Sequence, residues 1–253
     1  MRLIRSFLIA FSTYSRIPVP QVEWTEENRR YAMCFFPLVG AALGLILWGW
    51  LALSAALQTD VLIRGAVAAL LPLLVTGGIH MDGYMDTTDA LASWAPQEKR
   101  LEILKDSHTG AFAVMGCAGY LLLSAALFGE AATSAGPQLA CVFVLSRTLS
   151  ALALNLFRSA RPEGMLDDFS RVTQKRLTII STVIYGAACA VVWGLTGGWL
   201  ALLCPVTAGI CFWYYRHMAY KQFGGVTGDL AGWFLQVTEL ALTTVIVLGG
   251  NLL

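Results

Sequence analysis

The sequence is short of charge. Lys, Arg, Asp and Glu make up 13% of its 253 residues, roughly half the ~25% of a soluble domain. With 57% hydrophobic residues and a mean hydropathy of +0.65, it cannot cover the surface of a water-soluble particle. No Lys/Arg block accompanies the net charge of +1, so nucleic acid is not an expected partner. The six cysteines (Cys34, Cys117, Cys141, Cys189, Cys204 and Cys211) include no C-x-x-C pair and all lie in apolar stretches. They read as small buried hydrophobes rather than a metal or redox set. There are three histidines, and no Ser-His-Asp or Cys-His spacing. Met1 to Phe11 lacks a long apolar core with a small-residue cleavage site, so it does not read as a cleaved signal peptide. An interfacial amphipathic helix suits it better, with Arg2 and Arg5 wet and Leu3, Phe7 and Leu8 in lipid.

What is plentiful is apolar sequence in runs of membrane-crossing length. Seven stretches qualify, at 33–57, 61–79, 111–130, 138–157, 177–195, 199–215 and 235–251; about 20 residues cross ~30 Å of hydrocarbon. The expected fold is all-α: a polytopic membrane helix bundle of about seven transmembrane helices, forming one integral membrane domain over 1–253. Gly40 and Gly44 in the first span predict close helix–helix approach. Alternate loops carry fifteen of the seventeen Lys and Arg residues: five before the first span, three in 80–110, five in 158–176 and two in 216–234. The positive-inside rule then places those segments and the N-terminus in the cytoplasm, with the C-terminus outside.

The same side holds the residues suited to chemistry. In Thr76-Gly-Gly-Ile-His-Met-Asp-Gly-Tyr-Met-Asp-Thr-Thr-Asp89, a continuing helix puts Asp82, Asp86 and Asp89 at i, i+4 and i+7 on one face. Three such carboxylates repel one another unless a cation sits among them. Hard oxygen donors without cysteine favour Mg²⁺ or Mn²⁺ over zinc; the plain alternative is a solvated helix end. Further on, Asp106 can complete a two-metal site, and Asp106 or Ser107 can N-cap the third span; the two readings are compatible. Glu98 and Glu102 read as a solvated face paired with Lys99, Arg100 and Lys105. The turn Gly224-Gly225-Val-Thr227-Gly228-Asp229 can turn backbone N–H groups and a hydroxyl toward an anion, with Asp229 either a metal ligand or an N-cap, though interfacial turns use glycine anyway. Lys221 and Arg216 are phosphate-binding candidates or interface anchors. Arg147, within a span, is expected to pair with Glu239 or a substrate phosphate. His80 and His108 flank the acidic clusters as candidate bases or second donors, and His217 reads as an interface residue.

These motifs together resemble the cobalamin synthase family, the adenosylcobinamide-GDP ribazoletransferases of vitamin B12 assembly. The resemblance covers almost the whole chain. It is carried by Tyr14-Ser-Arg-Ile-Pro-Val-Pro20, Phe36-Pro-Leu-Val-Gly40, Gly77-Gly-Ile-His-Met-Asp-Gly83 with Asp86 and Asp89, Leu101-Glu-Ile-Leu-Lys-Asp-Ser107 with Gly110, Ser146-Arg147, and Gly224-Gly-Val-Thr-Gly-Asp229. His108 departs from the usual Arg, Ile79 from the usual Leu, and Ala231-Gly232 inverts the usual order. The resemblance implies attack by a ribose hydroxyl of α-ribazole, or of its 5′-phosphate, on the cobinamide-linked phosphorus of adenosylcobinamide-GDP, with GMP leaving and Mg²⁺ required. It implies a multi-pass protein of a bacterial or archaeal cytoplasmic membrane, the cell inner membrane where there are two. The residues expected to serve are Asp82, Asp86 and Asp106 as metal ligands, and Asp89 and His80 in catalysis. Arg147, Lys221, Gly224, Gly225, Thr227, Gly228 and Asp229 are expected on substrate. Oligomeric state stays open, a homo-oligomer included.

Three rivals fit less well. A CDP-alcohol phosphotransferase needs Asp-Gly-x-x-Ala-Arg, whereas Asp82-Gly83 is followed by Tyr84-Met85-Asp86-Thr87. An Asn-x₃-Asp-x₃-Asp prenyltransferase needs Asn where Gly78 stands. An ion-coupled transporter with Arg147 and Glu239 in a proton relay needs a path to both faces, and neither short featureless outer loops nor any internal repeat supports one.

Overall fold

The computed structural model describes residues 2–161 and 164–250. Among them the chain forms α1 (Arg2–Tyr14), α2 (Glu26–Arg29), α3 (Ala32–Ala56), α4 (Val61–Thr76), α5 (Ile79–Ala92), α6 (Gln97–Ile103), α7 (Ala111–Glu130), α8 (Gly136–Leu156), α9 (Met165–Val172), α10 (Lys175–Thr196), α11 (Leu200–Phe223) and α12 (Gly228–Gly250). The expected all-α bundle is what forms. Five helices (α3, α7, α10, α12, and α8 with its leading 3₁₀ turn) are long and apolar enough to cross a membrane; α4 and α5 make a sixth if the bent pair counts as one span. The remaining stretch, 199–215, lies in the 24-residue α11. Tyr214, Tyr215, Arg216, His217 and Lys221 make its final turns more polar.

Large apolar side chains cover the outside of the bundle, including Leu62, Leu74, Leu122, Val183, Ile184, Leu195, Leu202 and Ile210. That exterior suits lipid, not water. Because lipid tails are as apolar as the helices, packing rather than water exclusion holds such a bundle together. The glycines of α3 do as expected. A methyl on Gly44 would lie 2.7 Å from the Ala140 backbone, and one on Gly40 would meet the Phe143 carbonyl. α3 and α8 therefore touch backbone to backbone. All six cysteines are free. α1 buries Ile9, Ala10 and Phe11, the first two in a cluster with Ala32, Met33 and Phe36, and leaves Leu3, Ile4, Arg2 and Arg5 exposed.

One expectation needs correcting. The helix entering at 61 does not run on through Asp82. Gly77 and Gly78 both take positive φ, 68° and 81°, a conformation open to glycine at little cost. The chain bends by 99° there, and α5 restarts across the end of the bundle. The one-face spacing of Asp82, Asp86 and Asp89 survives because all three lie within α5.

The basic segments gather at that same end. The Arg158 guanidinium donates to the Gly224 carbonyl at 2.8 Å, Arg161 to the Leu101 carbonyl at 2.5 Å, and Gln174 N–H to the Arg30 carbonyl at 3.0 Å. Arg100 bonds Gln222. At the other end, the Gln138 amide donates to the Thr196 carbonyl at 2.7 Å. α11 runs from beside that contact to Gly224.

Candidate functional site

Two glycines set the centre of the site. A methyl on Gly83 of α5 would fall 2.7 Å from the Asp229 carbonyl oxygen, and one on Gly232 of α12 would fall 2.9 Å from that of His80. This close crossing lays the acidic face of α5 against the start of α12. Asp82, Asp229 and Asp89 all press their negative charge on Asp86. Burial first, then Asp82, Asp229 and Asp89 in turn, push the Asp86 carboxyl up to about 6. Like charges held this close favour a cation or a proton between them. Among the described residues no three His, Cys, Asp or Glu side chains converge tightly enough to hold a metal alone. Mg²⁺ does not ask for that: one or two carboxylates with water and substrate phosphate complete its octahedron. The all-oxygen donor set fits it.

A cavity of about 270 Å³ opens beside this crossing. Its polar side is formed by Asp82, Thr227, Gly228, Asp229, Ser159 and Arg161. Arg161 stands 3.9 Å from the Asp229 carboxylate, and its Nε is buried without a partner. The other side is aromatic: Tyr14 packs on Phe36 (4.3 Å between centroids), His80 (6.2 Å) and Phe169 (6.3 Å).

The Gly-rich turn serves several purposes at once. Gly224, with φ 76°, ends α11. Gly225 faces protein: a methyl there would lie 2.5 Å from the Arg158 carbonyl oxygen and 2.7 Å from the Ala160 nitrogen. Backbone bonds Val226 N–H to Arg158 O and Ala160 N–H to Val226 O, both 2.9 Å, tie the turn to 158–160. The Thr227 hydroxyl accepts the Leu230 N–H at 3.2 Å and so caps α12. Gly228 has open space where a Cβ would sit.

Other predicted residues stand elsewhere. Asp89 caps α7 from a distance: its carboxylate accepts Gly110 N–H at 2.6 Å and Ala113 N–H at 2.8 Å. Neither Asp106 nor Ser107 does so, because α7 begins at Ala111 with Gly110 as its cap residue. Asp106 is exposed and bonded to His108, whose backbone N–H and ring hold its carboxyl below the usual range; it is not among the charges acting on Asp86. Lys99 pairs with Glu102 at 2.9 Å on an exposed face, as read from the sequence. Arg147 pairs with Glu239 at 2.6 Å, the two side chains 1% and 4% exposed. Ser146 bonds the same carboxylate at 2.8 Å. Lys221 is exposed and does not line the cavity. Arg161 and Ser159 were missed by sequence reasoning. Arg161 counted only toward a basic loop and Ser159 toward nothing, and nothing local marks either as a neighbour of Asp229.

The family model for cobalamin-5-phosphate synthase matches residues 6–247. The chain belongs to that family. A protein of Lachnoclostridium phytofermentans named adenosylcobinamide-GDP ribazoletransferase is 41% identical over 98% of this chain and 95% of its own. Relatives of the same name from Brevibacillus brevis and Pseudomonas fluorescens are 35% and 34% identical, covering 96% and 93% of this chain and 98% and 96% of theirs. No solved structure matches.

Proposed function

We propose that this chain transfers adenosylcobinamide phosphate from adenosylcobinamide-GDP to α-ribazole or its 5′-phosphate. A ribose hydroxyl oxygen bonds to the phosphorus that carries the cobinamide. The bond from that phosphorus to the GMP oxygen breaks, and GMP leaves. The observation that carries this reading is the meeting of Asp82 and Asp229 at a cavity edged by Arg161, with Asp86 close enough to feel the charge of both, in a chain so similar to proteins of that name. Mg²⁺ held among these carboxylates would neutralise the diphosphate and the departing phosphate. Arg161 brings a planar fork suited to a phosphate oxygen. A carboxylate of the cluster takes the hydroxyl proton. Asp89, with its carboxylate on the α7 amides, positions α5 against α7, and Gly225 holds the turn rather than the ligand.

The Lys/Arg bias supports seven crossings, with the N-terminus and the site on the cytoplasmic side of the bacterial cytoplasmic membrane. Purified protein with adenosylcobinamide-GDP and α-ribazole should release GMP only when Mg²⁺ is present. Release that survives chelation, or needs no acceptor, would count against the proposal. Reporter fusions should place 97–103 and 216–223 inside and the C-terminus outside.

A further inference from the structure

One pair of arginines has no opposing charge. The Arg216 guanidinium of α11 rests against two rings, 5.0 Å from the Tyr220 centroid and 6.0 Å from that of Phe157, and Arg158 lies 5.5 Å from the same Tyr220 ring. Arg158 is fixed there: its backbone N–H donates to the Tyr220 hydroxyl at 2.8 Å, and its guanidinium donates to the Gly224 carbonyl. Both arginine side chains are exposed. Among the described residues neither has an ion-pair partner, whereas Arg29, Arg147 and Arg161 each face a carboxylate. Two like charges held to one ring with no acid between them favour an anion. Stacking on aromatic faces leaves the N–H edge of the Arg216 fork free to receive one.

A stripe on α11 identifies what carries the anion. Leu202, Val206, Ile210 and Trp213 are all exposed and follow one another at helical spacing. His217, stacked on Trp213 at 5.6 Å, and Tyr220 continue the same face. In a helix that crosses a bilayer such a stripe meets acyl chains, and Trp213 with Tyr214 marks the approach to the headgroups. The rise from Val206 to Arg216 is about 15 Å, half the ~30 Å hydrocarbon core and so the depth of one leaflet. We propose that Arg216 and Arg158, at the Tyr220 ring, bind the headgroup phosphate of an anionic phospholipid whose acyl chain lies along this stripe, and that the bound lipid steadies the turn carrying Asp229. A zwitterionic headgroup brings a cation of its own beside two guanidiniums, whereas an anionic one answers both. The link to the turn runs through Arg158, which receives the Val226 N–H on its carbonyl at 2.9 Å and holds the Gly224 carbonyl with its side chain. The lipid site stands on the fold and its charges; only its effect on turnover rests on the transferase reading.

Titration of the full-length protein in detergent with phosphatidylglycerol and with phosphatidylcholine of the same chains tests the site, bound lipid being counted by native mass spectrometry. The native protein should hold phosphatidylglycerol about tenfold more tightly. Arg216→Gln should bring the two lipids within about twofold of each other. Lys105→Gln removes the same charge from an exposed position near α6 and should leave the preference as it is. Equal binding of the two lipids by the native protein would overturn the proposal, and needs no variant to fold. So would a preference that survives Arg216→Gln, or one that Lys105→Gln lowers as far, since either marks general surface charge. Glycerol phosphate, the headgroup without its chains, should fail to displace the lipid at millimolar concentration; displacement would make this a site for free phosphate and overturn the lipid assignment. In nanodiscs, GMP release should be about fivefold faster when phosphatidylglycerol replaces part of the phosphatidylcholine, and Arg216→Gln should lose that response. A rate indifferent to the lipid would overturn the link to the turn. Failure of the transferase reading is separate: the native protein would then release no GMP in either bilayer, while its lipid preference would still be read by mass.

Discussion

The protein holds buried charge in two ways. Around Arg147 every charge has its opposite: the guanidinium meets Glu239, Ser146 adds a bond to the same carboxylate, and both ionic side chains are closed off. Around Asp86 the neighbours are like charges, Asp82, Asp229 and Asp89, and the balancing Arg161 stands 3.9 Å from Asp229 alone. The first arrangement balances its charge without a ligand and ties α8 to α12. The second becomes complete only when something positive arrives. In a low-dielectric bundle, self-paired charge marks architecture and unbalanced charge marks a site.

The largest effect should come from the unbalanced cluster. Asp82→Asn is expected to lower GMP release by about 10²–10³-fold while thermal unfolding in detergent stays close to native. Near-normal turnover would erase the contrast between the regions. The paired region should answer in the opposite currency. Arg147→Ala strands Glu239 without its partner and should cost about 3–5 kcal/mol of stability, read as a lowered unfolding midpoint or loss of folded protein. Arg147→Met with Glu239→Leu should recover much of that loss, since an apolar pair of similar volume leaves no charge unpaired. If Arg147 instead served substrate phosphate, the double variant would fold yet be inactive.

Gly225→Ala sharpens the comparison within the turn. Its methyl meets the backbone of 158–160, so the expected loss is in stability, about 1–3 kcal/mol. A raised KM for adenosylcobinamide-GDP in a protein of native stability would return Gly225 to the substrate. The smallest effect is expected from Asp89→Asn, which weakens the cap on α7 by about 0.5–2 kcal/mol and should leave measurable turnover. A loss as deep as that of Asp82→Asn would make Asp89 the base.

How far the sequence could be read follows from the range of its signals. Apolar runs and the Lys/Arg bias are properties of contiguous segments, and they predicted the bundle and the set of segments that share one end. Asp82, Asp86 and Asp89 were visible as one helical face because their relation is local. Three features depend on distant packing and were not legible: Asp229 opposite Asp82 through Gly83 and Gly232, Arg161 beside Asp229, and Asp89 reaching Gly110. The bend at Gly77-Gly78 was written in two adjacent glycines, which a reading by hydropathy runs straight through. Asp106 was read into the metal set because it follows the triplet on the same side, whereas in the fold its partner is His108.

The central claim is that the cation belongs to the α5–α12 crossing, and a titration of GMP release against Mg²⁺ in two variants tests it most directly. Asp229→Asn should raise the Mg²⁺ concentration needed for half-maximal rate by about tenfold or more, in line with the ~10–100-fold losses that follow removal of groups supporting a metal. Asp106→Asn should leave that concentration within about twofold of native. The reverse pattern, with Asp106→Asn demanding more Mg²⁺ and Asp229→Asn unchanged, would contradict this placement of the site.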